Sequence, residues 1–328
     1  MHAGEAAVDG GLVSRLVAAQ FPQWAALPLT PVRSAGTVNV LFRLGDDLVV
    51  RLPRVDWSLG DIDSDATWLP RLAPLLPVAI PSVVAVGAPD EGFPWPWAIY
   101  RWLPGDVPVV GGPAGRGGVA VVGGPAGRGE AAVGVGLADP RGLAADLAGF
   151  VRAMRAVDLP GAPAAYRGGG HSLLDPPVRK CLPGLDGLLD PAAVAAVTAV
   201  WNATLAIPDH AGPPTWLHGD LLPGNLLVDG AGRLSAVIDF ATLGVGDPSC
   251  DLIPAWAVLP PRARAVFREA VAVDDATWLR GRGRALAIAV IALPYYHRTN
   301  PAFAATARYI IGQTIADSDI TDLNDDLA

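Results

Sequence analysis

Trp216-Leu217-His218-Gly219-Asp220-Leu221-Leu222-Pro223-Gly224-Asn225-Leu226-Leu227-Val228 decides the reading of this chain. It joins a carboxylate, Asp220, to a carboxamide, Asn225, across a Pro-Gly turn. Downstream, the apolar pair Val237-Ile238 ends on Asp239-Phe240, and Gly244-Val245-Gly246-Asp247-Pro248 and Asp251 follow. An acid and a carboxamide on one tight loop, then an acid closing an apolar run, form a phosphoryl-transfer layout. One acid takes a proton from a hydroxyl, while Asn and the second acid hold Mg²⁺ against nucleotide phosphates. Each residue also has a plainer use: Asp220 as a turn cap, Asn225 as turn chemistry beside Gly224, Asp239 as a strand terminator. Those uses do not explain both spacings.

His218-Gly219-Asp220 through Asn225, with Ile238-Asp239-Phe240 and Gly246-Asp247-Pro248…Asp251, resembles the aminoglycoside phosphotransferase family. That family shares the protein-kinase-like fold and includes antibiotic, macrolide and small-metabolite kinases. Weaker motifs, in order from Arg33 to Leu103, extend the resemblance over most of the chain. It implies an α+β, bilobal fold with a small β-rich N-terminal lobe and a larger, mainly helical C-terminal lobe. The expected division is 1–105 for the nucleotide lobe and its hinge, 106–138 for an insertion, and 139–328 for catalysis and substrate binding. Asp220 is then the implied catalytic base, with Asn225 and Asp239 as oxygen ligands to Mg²⁺, which favours few, hard donors. His218 is read as fixing the loop through backbone hydrogen bonds, a proton shuttle being the alternative. Asp247 and Asp251 are read as anchors of the loop and the following helix, Asp247 by capping around Pro248.

Nucleotide phosphates need a cation, which kinase-like folds usually supply as a lysine on the third strand. Lys180 is the only lysine here, and Leu48-Val49-Val50-Arg51-Leu52-Pro53-Arg54 carries Arg51 at that place. A guanidinium binds phosphate bidentately, so the exchange is chemically workable. Asp65 fills the slot of the helix acid that pairs with this cation, with Asp61 or Asp63 as alternatives. Ser34-Ala35-Gly36-Thr37 precedes a strand, so Ser34 and Gly36 are candidates for backbone contacts to phosphate. Trp95 to Gly105 reads as a strand running into a hinge. The resemblance implicates the backbone of Arg101 and Leu103 in purine binding, with the three Trp residues of this segment read as packing.

Composition bounds these readings. The chain has 328 residues, 51% hydrophobic and 17% charged, with mean hydropathy +0.36. Its longest clean apolar run, Ala285 to Leu293, is far short of the roughly 20 residues of a membrane span. No signal peptide is read near Met1, and a cytoplasmic protein without a membrane partner is expected. A net charge of −8 argues against a nucleic-acid partner. Cys181 and Cys250 are too few for a disulfide framework and lack metal-type spacing. Val109 to Gly117 recurs as Val121 to Gly129, a duplication read as a flexible surface insertion.

Strands are expected at 38–43 and 48–52 around Gly45-Asp46-Asp47, and at 83–86, 98–100, 226–228 and 235–240. Helices are expected at 62–73, 140–157, 191–205, 261–271, 276–293 and 301–315, several opening on Asp-Pro or Asn-Pro. The acids Asp317, Asp319, Asp322, Asp325 and Asp326 read as a solvated terminus, with attraction of an amine-bearing substrate as the alternative. Together these features lead to an ATP- or GTP-dependent O-phosphotransferase whose partners are a nucleotide and a small-molecule hydroxyl acceptor. An aminoglycoside-like acceptor leads, with a macrolide, amino alcohol or sugar as alternatives. A non-catalytic kinase-like binding module and a Mg²⁺ hydrolase without nucleotide are the competing classes. The sequence does not choose between ATP and GTP, nor set the oligomeric state.

Overall fold

A computed structural model describes residues 8–32, 39–54, 60–110 and 135–317. Helix α1 (Gly10–Gln20) opens it, with the Asp9 carboxylate accepting from Leu12 N at 2.8 Å. Leu12, Val13, Leu16 and Val17 form its buried stripe. Strands β1 (Leu29–Val32), β2 (Asn39–Leu44) and β3 (Leu48–Pro53) follow, then helix α2 (Gly60–Leu72) and strands β4 (Val83–Gly87) and β5 (Trp97–Arg101). The five strands make one antiparallel sheet in the order β1-β2-β3-β5-β4. The Gly45 hairpin forms as the sequence predicts, with Leu44 opposite Leu48 and Gly45 at φ +61°, where a Cβ would be strained.

Two of these elements differ from expectation. Only one helix was anticipated in this half, yet α1 precedes the sheet and β1 edges it. Helix α2 runs through Pro70 and then tightens into a 3₁₀ turn at Ala73–Leu75. Proline removes one N–H and crowds the preceding turn, so a helix stopping shortly afterwards is the physical outcome. Ile62, Asp65, Trp68, Leu69 and Leu72 are its buried face.

After β5 the chain crosses to the helical half. Asp106 and Val228 exchange backbone hydrogen bonds of 2.9 and 2.8 Å. Ala79 is held likewise between Ser235 and Val237, so two backbone clasps tie the halves together. Short strands β6 (Pro108–Val109) and β7 (Val135–Gly136) pair in parallel; most of the repeated segment lies outside the described residues.

The C-terminal half contains α3 (Pro140–Arg155), α4 (Asp175–Cys181), α5 (Pro191–Leu205), β8 (Thr215–Leu217), β9 (Leu226–Val228), β10 (Leu234–Val237) and β11 (Gly244–Gly246). It continues through α6 (Pro254–Ala257), α7 (Pro261–Val271), α8 (Asp275–Tyr296) and α9 (Pro301–Ile315). Asp139, Asp190 and Asn300 cap α3, α5 and α9 ahead of Pro, each accepting from the third residue on. Asp274 caps α8 in the same way. Strand β10 is shorter than expected and ends before Asp239, because the backbone turns left-handed there.

Helix α8 is the axis of the larger core, buried along most of its length. Its arginines Arg280, Arg282 and Arg284 are buried too. Gly281 and Gly283 let neighbours approach: a Cβ at Gly283 would lie 2.1 Å from Thr204 Cγ2. Asp317 departs from the solvated terminus expected of it, accepting from Trp256 Nε1 at 2.6 Å and Arg264 Nη1 at 2.9 Å. Asp319, Asp322, Asp325 and Asp326 lie outside the described residues.

Candidate active site

Strand β8 delivers the His218-Gly219-Asp220 loop from a buried position, pairing antiparallel with β11. The chain turns at Gly219, where φ is +82°. The buried Asp251 carboxylate accepts from His218 N at 2.8 Å and Gly219 N at 2.7 Å. Burial pushes this carboxyl upward, against the pull of His218 and the two N–H groups. Asp220 N donates to His218 Nδ1 at 3.2 Å, so Nδ1 is the bare nitrogen and Nε2–H faces the Ile238 carbonyl at 3.0 Å. Thr242 Oγ1 binds the His218 carbonyl at 2.6 Å. The imidazole is thus committed to backbone groups on both sides.

A 3₁₀ turn, Pro223–Asn225, brings the carboxamide back onto the acid. Asn225 Nδ2 donates to Asp220 O at 2.8 Å and to Asp220 Oδ2 at 3.1 Å. Ile238 N donates to Asn225 O at 2.9 Å, which sets Asp239 beside Asn225. Asp239 has φ +64°, a conformation that non-glycine residues adopt at some cost and that concentrates at functional sites.

On the sheet side, Arg51 Nη1 donates to Asp65 Oδ2 at 2.9 Å and Nη2 to Asp61 Oδ2 at 3.1 Å. The Tyr100 hydroxyl donates to the same Asp65 oxygen at 2.8 Å. Arg51 therefore pairs with both Asp65 and Asp61. Burial opposes the charge on Arg51, but Tyr100, Asp65, Asp239 and Asp61 together raise its pKa. Burial likewise raises Asp65 to about 6, and the negative charges of Asp239 and Asp61 add to it, while Arg51 and the Tyr100 hydrogen bond pull it down. Burial is the largest cause at Asp65, while around Arg51 the negative groups outweigh burial and hold the guanidinium charged.

Along the hinge, Arg101 N is used by Ser82 O at 2.9 Å and Trp102 N by Asp47 O at 2.8 Å. Leu103 is then the next N–H in line. Trp102 lies under the Arg43 guanidinium at 4.3 Å, and Trp97 is fully buried. Ser34 and Gly36 lie outside the described residues.

Asp220, Asn225, Asp239, Arg51, Asp65, Arg101 and Leu103 all line one cavity of about 800 Å³ between the sheet and the helical half. His218, Asp247 and Asp251 stand behind it. Asp247 caps the turn at Ser249 N (2.9 Å) and pairs with Arg284 at 3.1 Å and Arg280 at 3.3 Å. Burial opposes its ionisation, but Arg284 and the Ser249 hydrogen bonds prevail and hold its carboxyl below the usual range.

Sequence reasoning missed Arg167, whose Nη1 forms an ion pair with Asp220 Oδ1. Its loop is fixed from behind, since Arg284 Nη1 and Cys250 Sγ bind the Arg167 carbonyl at 3.1 and 3.2 Å. Burial pushes the Cys250 thiol up to about 12, so it is inert. No local signal marks it: Arg167 precedes the run Gly168-Gly169-Gly170, and Arg284, which holds its loop, lies far along the chain. Gly168 and Gly246 touch through their backbones: a Cβ on Gly246 would lie 2.4 Å from Gly168 Cα.

The donor set fits a hard divalent cation. Asn225 spends its nitrogen on Asp220 and leaves its carbonyl oxygen, and Asp239 lines the same cavity with a carboxylate. Among the described residues no group of three or more His, Cys, Asp or Glu is arranged to hold a metal. Two protein oxygens completed by phosphate and water is the arrangement Mg²⁺ favours.

Similarity to known proteins agrees with this fold. The chain superposes on the GDP complex of wild-type aminoglycoside 2′-phosphotransferase-IIIa with TM-score 0.67 at 19% identity, covering 94% of this chain and 99% of that one. Macrolide 2′-phosphotransferase MphH from Brachybacterium faecium, as apoenzyme, gives TM-score 0.57 at 24% identity, covering 92% and 97%. The GDP and kanamycin complex of APH(2″)-IIia gives 0.63 at 19%, covering 93% and 98%. At these identities the likeness is one of fold. None of the curated proteins matches the chain by sequence. The profile of the phosphotransferase enzyme family matches residues 29–286, spanning the sheet, the hinge, the Asp220 loop and most of α8. With the family's sequence pattern and its bilobal α+β fold both present, this chain belongs to the phosphotransferase enzyme family.

Proposed function

We propose that this protein transfers the γ-phosphate of ATP or GTP to a hydroxyl of a small molecule, with Asp220 as the base. One observation carries the proposal: Asp220, Asn225, Asp239 and the Arg51–Asp65 pair line a single cavity between the lobes. In the reaction the acceptor oxygen attacks the γ-phosphorus. A new P–O bond forms, the bond to the β-phosphate oxygen breaks, and the hydroxyl proton passes to Asp220. The products are a phosphate monoester and ADP or GDP.

Residues 1–105 hold the nucleotide in this reading. Arg51, oriented by Asp65 and Asp61, meets the phosphates and the hinge backbone at Arg101 and Leu103 meets the purine, while Ser34 and Gly36, outside the described residues, are assigned to phosphate contacts by the family resemblance alone. Residues 139–328 supply the base and the acceptor site, and 106–138 is an insertion between them. Mg²⁺, held by Asn225 and Asp239, neutralises phosphate charge when bound. Asn225 also orients Asp220 through two hydrogen bonds from its nitrogen. His218, Asp247 and Asp251 keep the loop in place. No helix among the described residues is long and apolar enough to cross a membrane, and a cytoplasmic enzyme is proposed.

The test is titration of the protein with ATP and GTP, with and without Mg²⁺, followed by a phosphorylation screen against aminoglycosides, macrolides and amino alcohols. Mg²⁺-dependent nucleotide binding and a product one phosphate heavier are expected. A protein that binds neither nucleotide contradicts the proposal.

A further inference from the structure

Arg51 is the cation assigned to the nucleotide phosphates, yet all three nitrogens of its guanidinium already have partners within the chain. Nη1 donates to Asp65 Oδ2 at 2.9 Å, with the Tyr100 hydroxyl at 3.5 Å, and Nη2 donates to Asp61 Oδ2 at 3.1 Å. Asn39 covers the remaining edge. It lies on β2 two residues from Leu41, which faces Arg51 directly, so it is a diagonal neighbour of Arg51 across the strand pair. With its carboxamide oxygen turned to the guanidinium, Asn39 accepts from Nε and Nη2 at 3.1 Å each. That orientation is the one in which the amide oxygen meets donors and its nitrogen does not. A guanidinium offers five N–H groups in a fixed fork, so a phosphate oxygen reaches this one by taking the place of one of these partners.

The partners are unequal in what they lose. Asp65 Oδ2 is held twice, by Arg51 and by the Tyr100 hydroxyl at 2.8 Å, and its side chain is only 4% exposed. Its Oδ1 is buried without a hydrogen-bond partner among the described residues. Taking Arg51 away would strand a buried carboxylate, which is strongly unfavourable. Asn39 is neutral and repels no phosphate. Asp61 is different: its side chain is 20% exposed, so water can replace Nη2 at little cost. It also stands in the first turn of α2, where the helix N-terminus favours its charge whether or not Arg51 is bound.

Charge works in the same direction. Burial is the largest influence on the Asp61 carboxyl and raises its pKa, Arg51 lowers it, and Asp239 raises it further. Asp61 is thus within electrostatic reach of Asp239 and on the guanidinium that a triphosphate must share. Like charges this close weaken phosphate binding.

We infer that Asp61 competes with nucleotide phosphate for Arg51 and so restrains nucleotide affinity, while Asp65 and Asn39 keep the guanidinium aimed. This rests on the phosphotransferase reading and deepens it, dividing two acids of one helix face between opposite roles. Asp65 is a positioning residue, and its loss weakens phosphate binding. Asp61 is a competitor, and its loss strengthens it. Phosphate takes over Nη2, and the Asp61 carboxylate turns to water.

The experiment measures, by calorimetric titration with Mg²⁺, the dissociation constants of ATP, GTP and inorganic tripolyphosphate for the parent, Asp61→Asn and Asp65→Asn. Adenosine and guanosine are titrated alongside. Asp61→Asn is expected to bind the triphosphates about 5- to 10-fold tighter than the parent, the scale of one partly exposed ion pair released and one like charge removed. Nucleoside binding is expected to stay at the parent value, and Asp65→Asn to bind the triphosphates more weakly. Folding is checked by thermal melting, and Asp61→Ser, which also removes the charge, replaces an Asn variant that does not fold. Triphosphate affinity that is unchanged or weaker in a folded Asp61 variant overturns the inference. So does an equal tightening toward nucleosides, which would locate the effect at the purine. A parent that binds neither ATP nor GTP contradicts the phosphotransferase reading and this inference with it. A parent that binds a nucleotide, with the Asp61 variants no tighter, overturns the inference alone.

Discussion

The Arg167 guanidinium is ion-paired with the Asp220 carboxylate, and the loop that carries Arg167 is bolted through its carbonyl to Arg284. The pair is partly open to solvent, at 36% and 20% side-chain exposure, so its share of fold stability is about 1 kcal/mol at most. In the proposed reaction this pair orients Asp220. Arg167→Ala is expected to lower kcat about 10-fold, a small part of the 10²–10⁴ that general-base catalysis supplies, with a melting curve close to the parent's. A variant with unchanged kcat would remove Arg167 from the site.

Arg51 is expected to set nucleotide affinity. Charge-assisted hydrogen bonds are worth about 1.5–3 kcal/mol, so Arg51→Ala should weaken ATP or GTP binding by about 10- to 100-fold. It also leaves the buried Asp65 without its cation, and lower stability is expected alongside. The double variant Arg51→Ala/Asp65→Asn should regain that stability but not the affinity. Calorimetric titration and urea unfolding separate the two effects.

The Asp65 carboxyl gives the fold a pH signature. Its pKa stands at about 6 in the folded protein against an ordinary 3.8, so between these values the folded state binds more protons than the unfolded one. Stability is therefore greatest below about pH 4 as far as this group is concerned, and falls as pH rises through about 6. The difference of about two pH units corresponds to a ceiling on the order of 3 kcal/mol. Unfolding of ligand-free protein, compared with Asp65→Asn across pH 4 to 7, should show this loss in the parent only. Parallel curves would contradict it.

Asp251 holds the Asp220 loop from behind, and Gly246 packs on the loop that carries Arg167. Asp251→Ala strands the N–H groups of His218 and Gly219 in the core, and about 1–3 kcal/mol of destabilisation is expected for each. Gly246→Ala drives a methyl into the Gly168 backbone. About 1–3 kcal/mol is expected there, together with a loss of kcat, because the displaced loop carries Arg167. Chemical denaturation and steady-state rates check both.

The residues that line the candidate site were largely legible in order along the chain. The acid-to-carboxamide spacing of Asp220 and Asn225 and the acid just past β10 are local patterns, and local patterns survive in a sequence. The capped helices were legible for the same reason, since Asp139, Asp190 and Asn300 sit directly before proline. Helix α1 was not, although Asp9 and its apolar stripe mark it, because the stripe is short and follows a Gly pair. Arg167 was invisible for a physical reason. Its pairing with Asp220 depends on a loop held by Arg284, far along the chain, and no local spacing records that. The doubled partnership of Arg51 with Asp61 and Asp65 is also tertiary, since residues four apart on α2 share one face and only the sheet above brings the arginine between them.

The most direct test of the central claim is the rate of Mg²⁺-dependent nucleotide turnover, with water and with a panel of hydroxyl acceptors, for the parent and Asp220→Asn side by side. The account predicts a fall in kcat of about 10²–10⁴ for Asp220→Asn, with nucleotide affinity retained. Equal turnover by both proteins would contradict it.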